Sequence, residues 1–401
     1  MIEVRNPSAT ELRPAMDASL TAFGESMQPA DWERELGAVT PERSVAAYEN
    51  GRPVGFSAAY EFELAIPGGS LPTAGVTWVG VIPTHRRRGA LRKMSVRGLR
   101  DAHERGEPLA ALHASEASIY GRFGYGLATL SLNLDAWSDR IAFREDPGPQ
   151  GVVRLVEFDE AYELFPPFYQ RIRALRPGML SRGEHWWRAF RLADYEHRRR
   201  GASKRFNAAL ELDGELAGYA IYRVKDEWEA GYPKGEVRLM EAFADSAAAT
   251  RELWRYLFAI DLTTRVKTEF FDTASPLPLQ VVDMRALHLG VRDGLWLRLV
   301  DVESALRARS YAADDTVVIE VRDDLLEWNP GRYRVGSRVE RTDNAADLAL
   351  DIADLASAYL GGFSFERLAA ADRGEERTPG ALARASALFR TPLPPYCPEV
   401  F

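Results

Sequence analysis

Two stretches of this chain, "AAYENGRPVGFSAAYEF" and "ALELDGELAGYAIYRV", carry the same layout of strand, two-residue turn and strand. Gly51, Gly55 and Phe56 of the first fall on Gly214, Gly218 and Tyr219 of the second at one constant offset. Asn-Gly and Asp-Gly supply the positive φ values that a tight hairpin turn requires, so both stretches read as β-hairpins. Each follows a strand-then-helix pattern. The first is "IEVRNPSATELRPAMDASLTAF", where Leu12, Met16, Leu20 and Phe23 recur at helical spacing behind Ser8 or Thr10 as cap; the second is "VVRLVEFDEAYELFPPFYQRI". The chain is therefore expected to fold as two similar α/β units, joined by "REDPGPQG", with room in 401 residues for a third.

The two copies differ where chemistry would sit. After the first hairpin the strand "GVTWVGVI" stops at Pro83, and His85-Arg86-Arg87-Arg88-Gly89 opens a helix with Leu91, Met94, Gly98, Leu99 and Ala102 on its apolar face. A helix N-terminus concentrates unpaired N–H groups and positive partial charge, glycine lets an anion approach the backbone, and arginine grips phosphate bidentately. The constant offset carries Arg86 onto Ala249 and Gly89 onto Glu252, so the second unit lacks this loop and is read as a degenerate copy used for packing and for walling a pocket. A second His-Arg-Arg-Arg-Gly, residues 197–201, follows the apparent helix "EHWWRAFRLADYE" and precedes a strand; in that reversed order it reads as a solvated face.

From "DGLWLRLVDVESALRARSY" onward the pattern changes to strands such as "DTVVIEVRD" and "GRYRVGSRVERT" and helices "AADLALDIADLASAYLGG" and "FERLAAAD", an α+β third domain. Its end, "TPLPPYCPEVF", is apolar where chain termini are usually polar, which suggests a docked terminus. The single cysteine, Cys397, excludes an internal disulfide and points to a reducing compartment. No run is apolar and long enough to span a bilayer and the start lacks a signal peptide, so a cytoplasmic protein without a membrane partner is expected. A net charge of −8 argues against nucleic acid and suits a cationic small molecule. His85, His103 and His113 show no ligand spacing, and no metal is expected.

The stretch "VTWVGVIPTHRRRGAL" resembles the acetyl-CoA signature of the GNAT N-acetyltransferase superfamily, with Arg86 and Gly89 in place and Leu91 where Gly or Ala is usual. Together with "LHASE", "IYGRFGYG" and the terminal Phe, it resembles the Eis (enhanced intracellular survival) acetyltransferases over most of the chain, most specifically within residues 71–129. The resemblance implies an α/β fold of tandem GNAT-like domains, 1–143 catalytic and 144–289 degenerate, followed by a sterol-carrier-protein-like α+β domain, 290–401. It also implies acetyl-CoA as cosubstrate, a homohexamer, and acetylation of primary amines with aminoglycosides as the first acceptor class. The alternatives are acetylation of lysine in proteins or peptides, and a CoA- or lipid-binding protein without turnover.

Site residues follow from the resemblance. Tyr120 matches the general acid that protonates the departing thiolate, with Tyr125 the lesser candidate, and the α-carboxylate of Phe401 matches the base. Val79, Gly80 and Val81 would pair with the pantetheine arm, Ser115 and Glu116 would lie beside it, and Arg86, Arg87, Arg88, Gly89, Ala90, Leu91 and Arg92 would form the pyrophosphate loop. Phe23, Glu25, Asp31, Trp32, Glu33 and Glu399 border the expected acceptor pocket, where carboxylates and aromatic faces suit a polycation. His113 reads as a packed histidine or pocket wall rather than a base.

Overall fold

The computed structural model describes residues 2–401. It opens with β1 (Glu3–Arg5) and α1 (Ala9–Phe23), where Glu11 reaches back to accept from Ser8 N at 2.9 Å in a capping box. Leu12, Met16 and Leu20 are buried as their spacing predicts, while Phe23 ends the helix half exposed. A second helix, α2 (Pro29–Leu36), has no counterpart in the apolar pattern because its buried face carries Asp31, Arg34 and Glu35 beside Trp32. The hairpin of β2 (Ser44–Glu49) and β3 (Arg52–Ile66) turns on Asn50 at φ 52° and Gly51 at φ 75°. There follow β4 (Gly69–Val81), α3 (Ala90–Glu104), β5 (Leu109–His113), α4 (Ala117–Tyr120), β6 (Gly126–Leu127) and β7 (Leu130–Trp137).

The second unit repeats the first. β8 (Val152–Val156), α5 (Phe158–Ala174), β9 (Phe206–Leu212) and β10 (Glu215–Lys225) correspond to β1, α1, β2 and β3, and the hairpin again turns on a left-handed pair, Asp213 at φ 51° and Gly214 at φ 83°. The strand Gly235–Ala244, α6 (Ala247–Phe258) and the strand Thr263–Phe271 then correspond to β4, α3 and β5. The segment read as a helix before the second arginine triplet is a π-helical turn, Trp186–Leu192, which stacks Trp186 on Phe190 at 4.4 Å.

The sheets do not follow the linear division at 143 and 289. β7 lies in the second sheet against Thr263–Phe271, and the strand Leu295–Leu299, expected to begin the third domain, inserts between β5 and β6 of the first. Each unit thus completes its neighbour's sheet, and the buried edges this exchange creates are paired. The third domain holds a five-stranded sheet with helices Val302–Ala308, Ile352–Tyr359, Phe365–Ala369 and Ala381–Phe389. In it Leu348–Asp351, expected as helix, is a strand paired in parallel with Val317–Arg322. One apolar core runs from Leu12 and Phe62 of the first unit to Leu355 and Phe389 of the third domain and takes in Cys397. Among the described residues no helix is long and apolar enough to cross a membrane.

Candidate active site

β4 and β5 pair in parallel only from Thr73 to Gly75 against Leu109 to Ala111, and beyond that point they part. The cause lies in β4. Its register against β3 slips between Phe56 and Ala58, and Trp78 sits at φ 59°, a left-handed conformation costly for a bulky residue. Ser19 Oγ of α1 donates to the Trp78 carbonyl at 2.7 Å and holds the bulge. The far end of β4, including Val79 and Val81, is left with a strand edge that an extended chain can pair with.

The gap runs toward the arginine loop. Arg87 at φ 61° and Gly89 at φ 83° curl the backbone, and a Cβ on Gly89 would meet nothing within 4 Å, so the approach is open. Gly89 is the N-cap of α3 and has no side chain to cap it, and the N–H groups of Ala90, Leu91 and Arg92 find no acceptor among the described residues. In the second unit the equivalent helix is closed: Ser246 Oγ accepts from Ala249 N at 3.1 Å. The three arginines are not equivalent. Arg88, with His85 Nε2 at 2.8 Å, is tied to Glu49, and Arg86 bridges the carbonyls of Val81 and Ala22, whereas Arg87 and Arg92 are exposed and carry no ion pair among the described residues. The residues present therefore fit a long thin ligand that pairs like a strand at one end and carries diphosphate charge at the other.

Alternation along the strands gives the gap two different faces. Ala74, Val76 and Val79 of β4 and Ala110 and Leu112 of β5 face α3 and line a cavity together with Leu99, Tyr120 and Tyr125. Gly75, Ala111 and His113 face the other way, toward the ring of Phe401. A Cβ on Gly75 would lie 2.4 Å from Phe62 and 3.3 Å from Phe401, so only glycine leaves room for these rings. Tyr120 is 8% exposed; burial raises its pKa, the Glu116 charge adds to this, and a hydrogen bond with Ser115 opposes it. Tyr125 is buried deeper and pushed up further, which removes it from exchange with solvent.

Phe401 reaches this place because the tail is anchored along the second unit. Arg176 Nε donates to Pro394 O at 2.7 Å, Tyr396 N to Pro177 O at 2.9 Å, and Tyr396 Oη to Phe270 O at 2.6 Å. The Phe401 ring then meets Phe62, His113 and Tyr60 at 5.2, 5.8 and 6.4 Å between centroids. No basic side chain pairs with the terminal carboxylate among the described residues. His113 is pushed down to about 4 by burial, with Arg292 adding to the effect, and its Nε2 has no partner, so the ring is neutral at physiological pH.

Several expected acceptor contacts are elsewhere. Glu399 is fully buried, with its carboxylate taken by Arg182, Arg191 and Trp186 Nε1, so it is not free to bind an acceptor. Trp32 is a core residue, 7% exposed, beneath Arg13 at 4.6 Å. Asp31 is paired with His197 Nε2 at 2.8 Å and Arg198 Nε at 2.7 Å. The second arginine stretch is largely exposed, as its reading as a solvated face expects, and through His197 and Arg198 it also latches the second unit onto α2. Phe23 at the end of α1, Glu25 on the connection after it and Glu33 in α2 remain exposed. Sequence reasoning missed Gly75, Ser19 and Trp78; only the bulge and the ring packing single them out.

The matching family models are two for an acetyltransferase (GNAT) domain, over residues 3–128 and 178–302, and one for a sterol carrier protein domain, over 302–398. An uncharacterized N-acetyltransferase of Streptomyces avermitilis is 42% identical over 96% of both chains. The N-acetyltransferase Eis of Mycobacterium bovis is 38% identical over 85% of this chain and 84% of its own. The crystal structure of Eis1 from Mycobacterium abscessus superposes with a TM-score of 0.88 at 35% identity over the whole of both chains. A GCN5-related N-acetyltransferase from Anabaena variabilis shares the fold, with a TM-score of 0.85 at 22% identity. On this similarity over the greater part of its length, the chain belongs to the Eis family of GNAT N-acetyltransferases.

Proposed function

We propose that the protein transfers an acetyl group directly from acetyl-CoA to a primary amine of a polycationic small molecule, with aminoglycosides as the first class. The observation that carries this reading is the two-faced gap between β4 and β5. Tyr120 and the cavity under α3 lie on one face, and the ring of the terminal residue, Phe401, lies on the other. GNAT domains in general use acetyl-CoA, which brings an activated thioester. Val79, Gly80 and Val81 would bind its arm along the free edge of β4, and Arg86, Arg87, Gly89, Ala90, Leu91 and Arg92 its diphosphate, with Arg88 holding the loop in shape through Glu49.

On the acceptor face the Phe401 carboxylate takes up the proton that the attacking amine sheds. Because an α-carboxylate is ordinarily a weak base, with a pKa of about 3.5, the amine must already be disposed to lose its charge in the pocket. On the donor face the Tyr120 hydroxyl gives its proton to the departing sulfur, and its raised pKa keeps that proton in place at neutral pH. The ring of Phe401, less buried than Tyr60, Phe62 and Trp186 around it, would offer a face to a cation, and the exposed Phe23, Glu25 and Glu33 would supply aromatic and acidic contacts.

Thiol release from acetyl-CoA across aminoglycosides, polyamines and lysine peptides tests the acceptor class. Turnover with the first group at the lowest KM is expected; turnover confined to lysine peptides would replace it with protein acetylation. The exposed apolar residues Leu175, Leu279, Val282 and Met284 support assembly of several copies, which light scattering would size against the expected hexamer.

A further inference from the structure

Glu399 sits two residues before the terminus in a place that water does not reach. Arg182 Nε and Arg191 Nη2 each donate to one of its carboxylate oxygens, and Trp186 Nε1 donates at 3.0 Å to the oxygen that Arg191 holds. The side chains of Glu399 and Arg182 are both fully enclosed. Arg182 also makes a two-pronged contact with Glu241, at 2.6 and 3.0 Å, and lies over the ring of Tyr169 at 3.8 Å. Glu241 accepts further from Tyr219 Oη at 3.0 Å.

The charges come closer to balance when the tail is in place. Arg182, Arg191 and Glu241 all come from the second unit, and Glu399 is the carboxylate that the tail brings to this cluster. Arg205 packs alongside, donating to the Arg191 carbonyl, and burial together with the positive charges of Arg223 and Arg191 pushes it down to about 9. The second unit thus presents an enclosed excess of positive charge, and a buried charge without a partner is strongly destabilising. Tail insertion gives Arg182 and Arg191 their second carboxylate and so offsets part of it.

The same contact reaches the reacting end of the chain. Trp186 holds Glu399 through its N–H and packs against Tyr60 at 5.3 Å and Phe62 at 5.0 Å, the two rings that flank Phe401. Two residues of extended chain span about 7 Å at most, so fixing Glu399 and the Phe401 ring leaves the terminal carboxylate little freedom. Between these anchors, Val400 is half exposed.

We propose that Glu399 is a positioning residue, which seats the Phe401 carboxylate in the gap by completing a buried ion cluster that the degenerate second unit provides for it. This rests on the reading of that carboxylate as the base. Misplacing a reacting group by an ångström costs on the order of 100-fold in rate, and that sets the scale of the test.

The experiment is a kinetic cycle on the full chain with Glu399→Gln, deletion of Phe401 and both changes together, read as thiol release with a responsive amine. Glu399→Gln should lower kcat at least about tenfold and leave the acetyl-CoA KM within about twofold, since the donor face is untouched. In the Phe401-deleted chain, whose α-carboxylate now sits on Val400 and one residue short of the gap, the same substitution should cost little more, because its effect passes through a carboxylate already displaced. Carboxypeptidase should release Phe401 from Glu399→Gln much faster than from the parent. Should Glu399→Gln fold poorly, Arg191→Lys loosens the cluster from its more exposed side and should give the same pattern more weakly. Full kcat and a protected terminus in a variant of the cluster overturn the proposal, as do losses that simply add in the double change. Full activity after deletion of Phe401 overturns the base reading and the positioning role with it, whereas loss on deletion without loss in Glu399→Gln overturns the positioning role alone.

Discussion

Tyr120 and His113 stand on opposite faces of the same strand gap, and burial moves both toward their neutral forms. For Tyr120 the acid form is the useful one. Since its pKa is raised above the ordinary 10, kcat should climb with pH as the acceptor amine loses its proton and show no fall attributable to this tyrosine below pH 10. Tyr120→Phe should lower kcat by about 100-fold with little change in acetyl-CoA KM, as pre-steady-state thiol release would report. For His113 the folded pKa, about 4, lies below the ordinary 6.5, so the folded state binds fewer protons than the unfolded one. Its contribution to stability is full above pH 6.5 and is lost as pH falls toward 4; denaturant titrations of the parent and His113→Gln should differ in that window. Gly75→Ala places a methyl group against Phe62 and Phe401 and should cost about 1–3 kcal/mol of unfolding free energy, together with activity.

At the level of elements, α3 and α6 are the same helix in two copies of one fold, distinguished by how they begin. α3 starts on Gly89 with free N–H groups, while α6 starts on Ser246, which spends its side chain on its own backbone. Gly89→Ala fits the space but not the left-handed φ of 83°, so the loop must shift at a cost of about 1–2 kcal/mol. A raised acetyl-CoA KM with kcat largely kept is the expected result, by initial-rate kinetics. Both hairpins were legible because Asn50-Gly51 and Asp213-Gly214 have one conformational solution. α2 was not, since its buried face is charged, and neither was the strand Leu348–Asp351, whose apolar residues continue without a break into a helix.

Across the whole molecule, the three parts of the chain are tied together at the candidate site. β7 and the strand Leu295–Leu299 cross between sheets, His197 and Arg198 latch onto Asp31, and the tail runs past the second unit into the first. Asp31→Ala should therefore loosen the contact between units, at a cost of about 2 kcal/mol, and leave Arg34 short of a neighbour; earlier thermal unfolding would show it. Extending the chain by a few residues past Phe401 should abolish transfer, because the terminal carboxylate would become an amide within an enclosed ring pocket. A fully active extended protein would contradict the proposed base.

By itself the sequence determined the duplication, the loss of the arginine loop from the second copy, and the docked, apolar terminus. Each of these is a local pattern: an Asn-Gly or Asp-Gly turn, a helix that opens on glycine and arginine, a chain end rich in proline and apolar residues. The tertiary structure decided the partners. Glu399 reads as an acceptor ligand in one dimension and proves to be the counter-ion of Arg182 and Arg191, and the second His-Arg-Arg-Arg-Gly, exposed as expected, also holds Asp31. The physical reason is that a charge is assigned by what lies within about 4 Å of it, and here those neighbours are roughly 160 to 220 residues away along the chain.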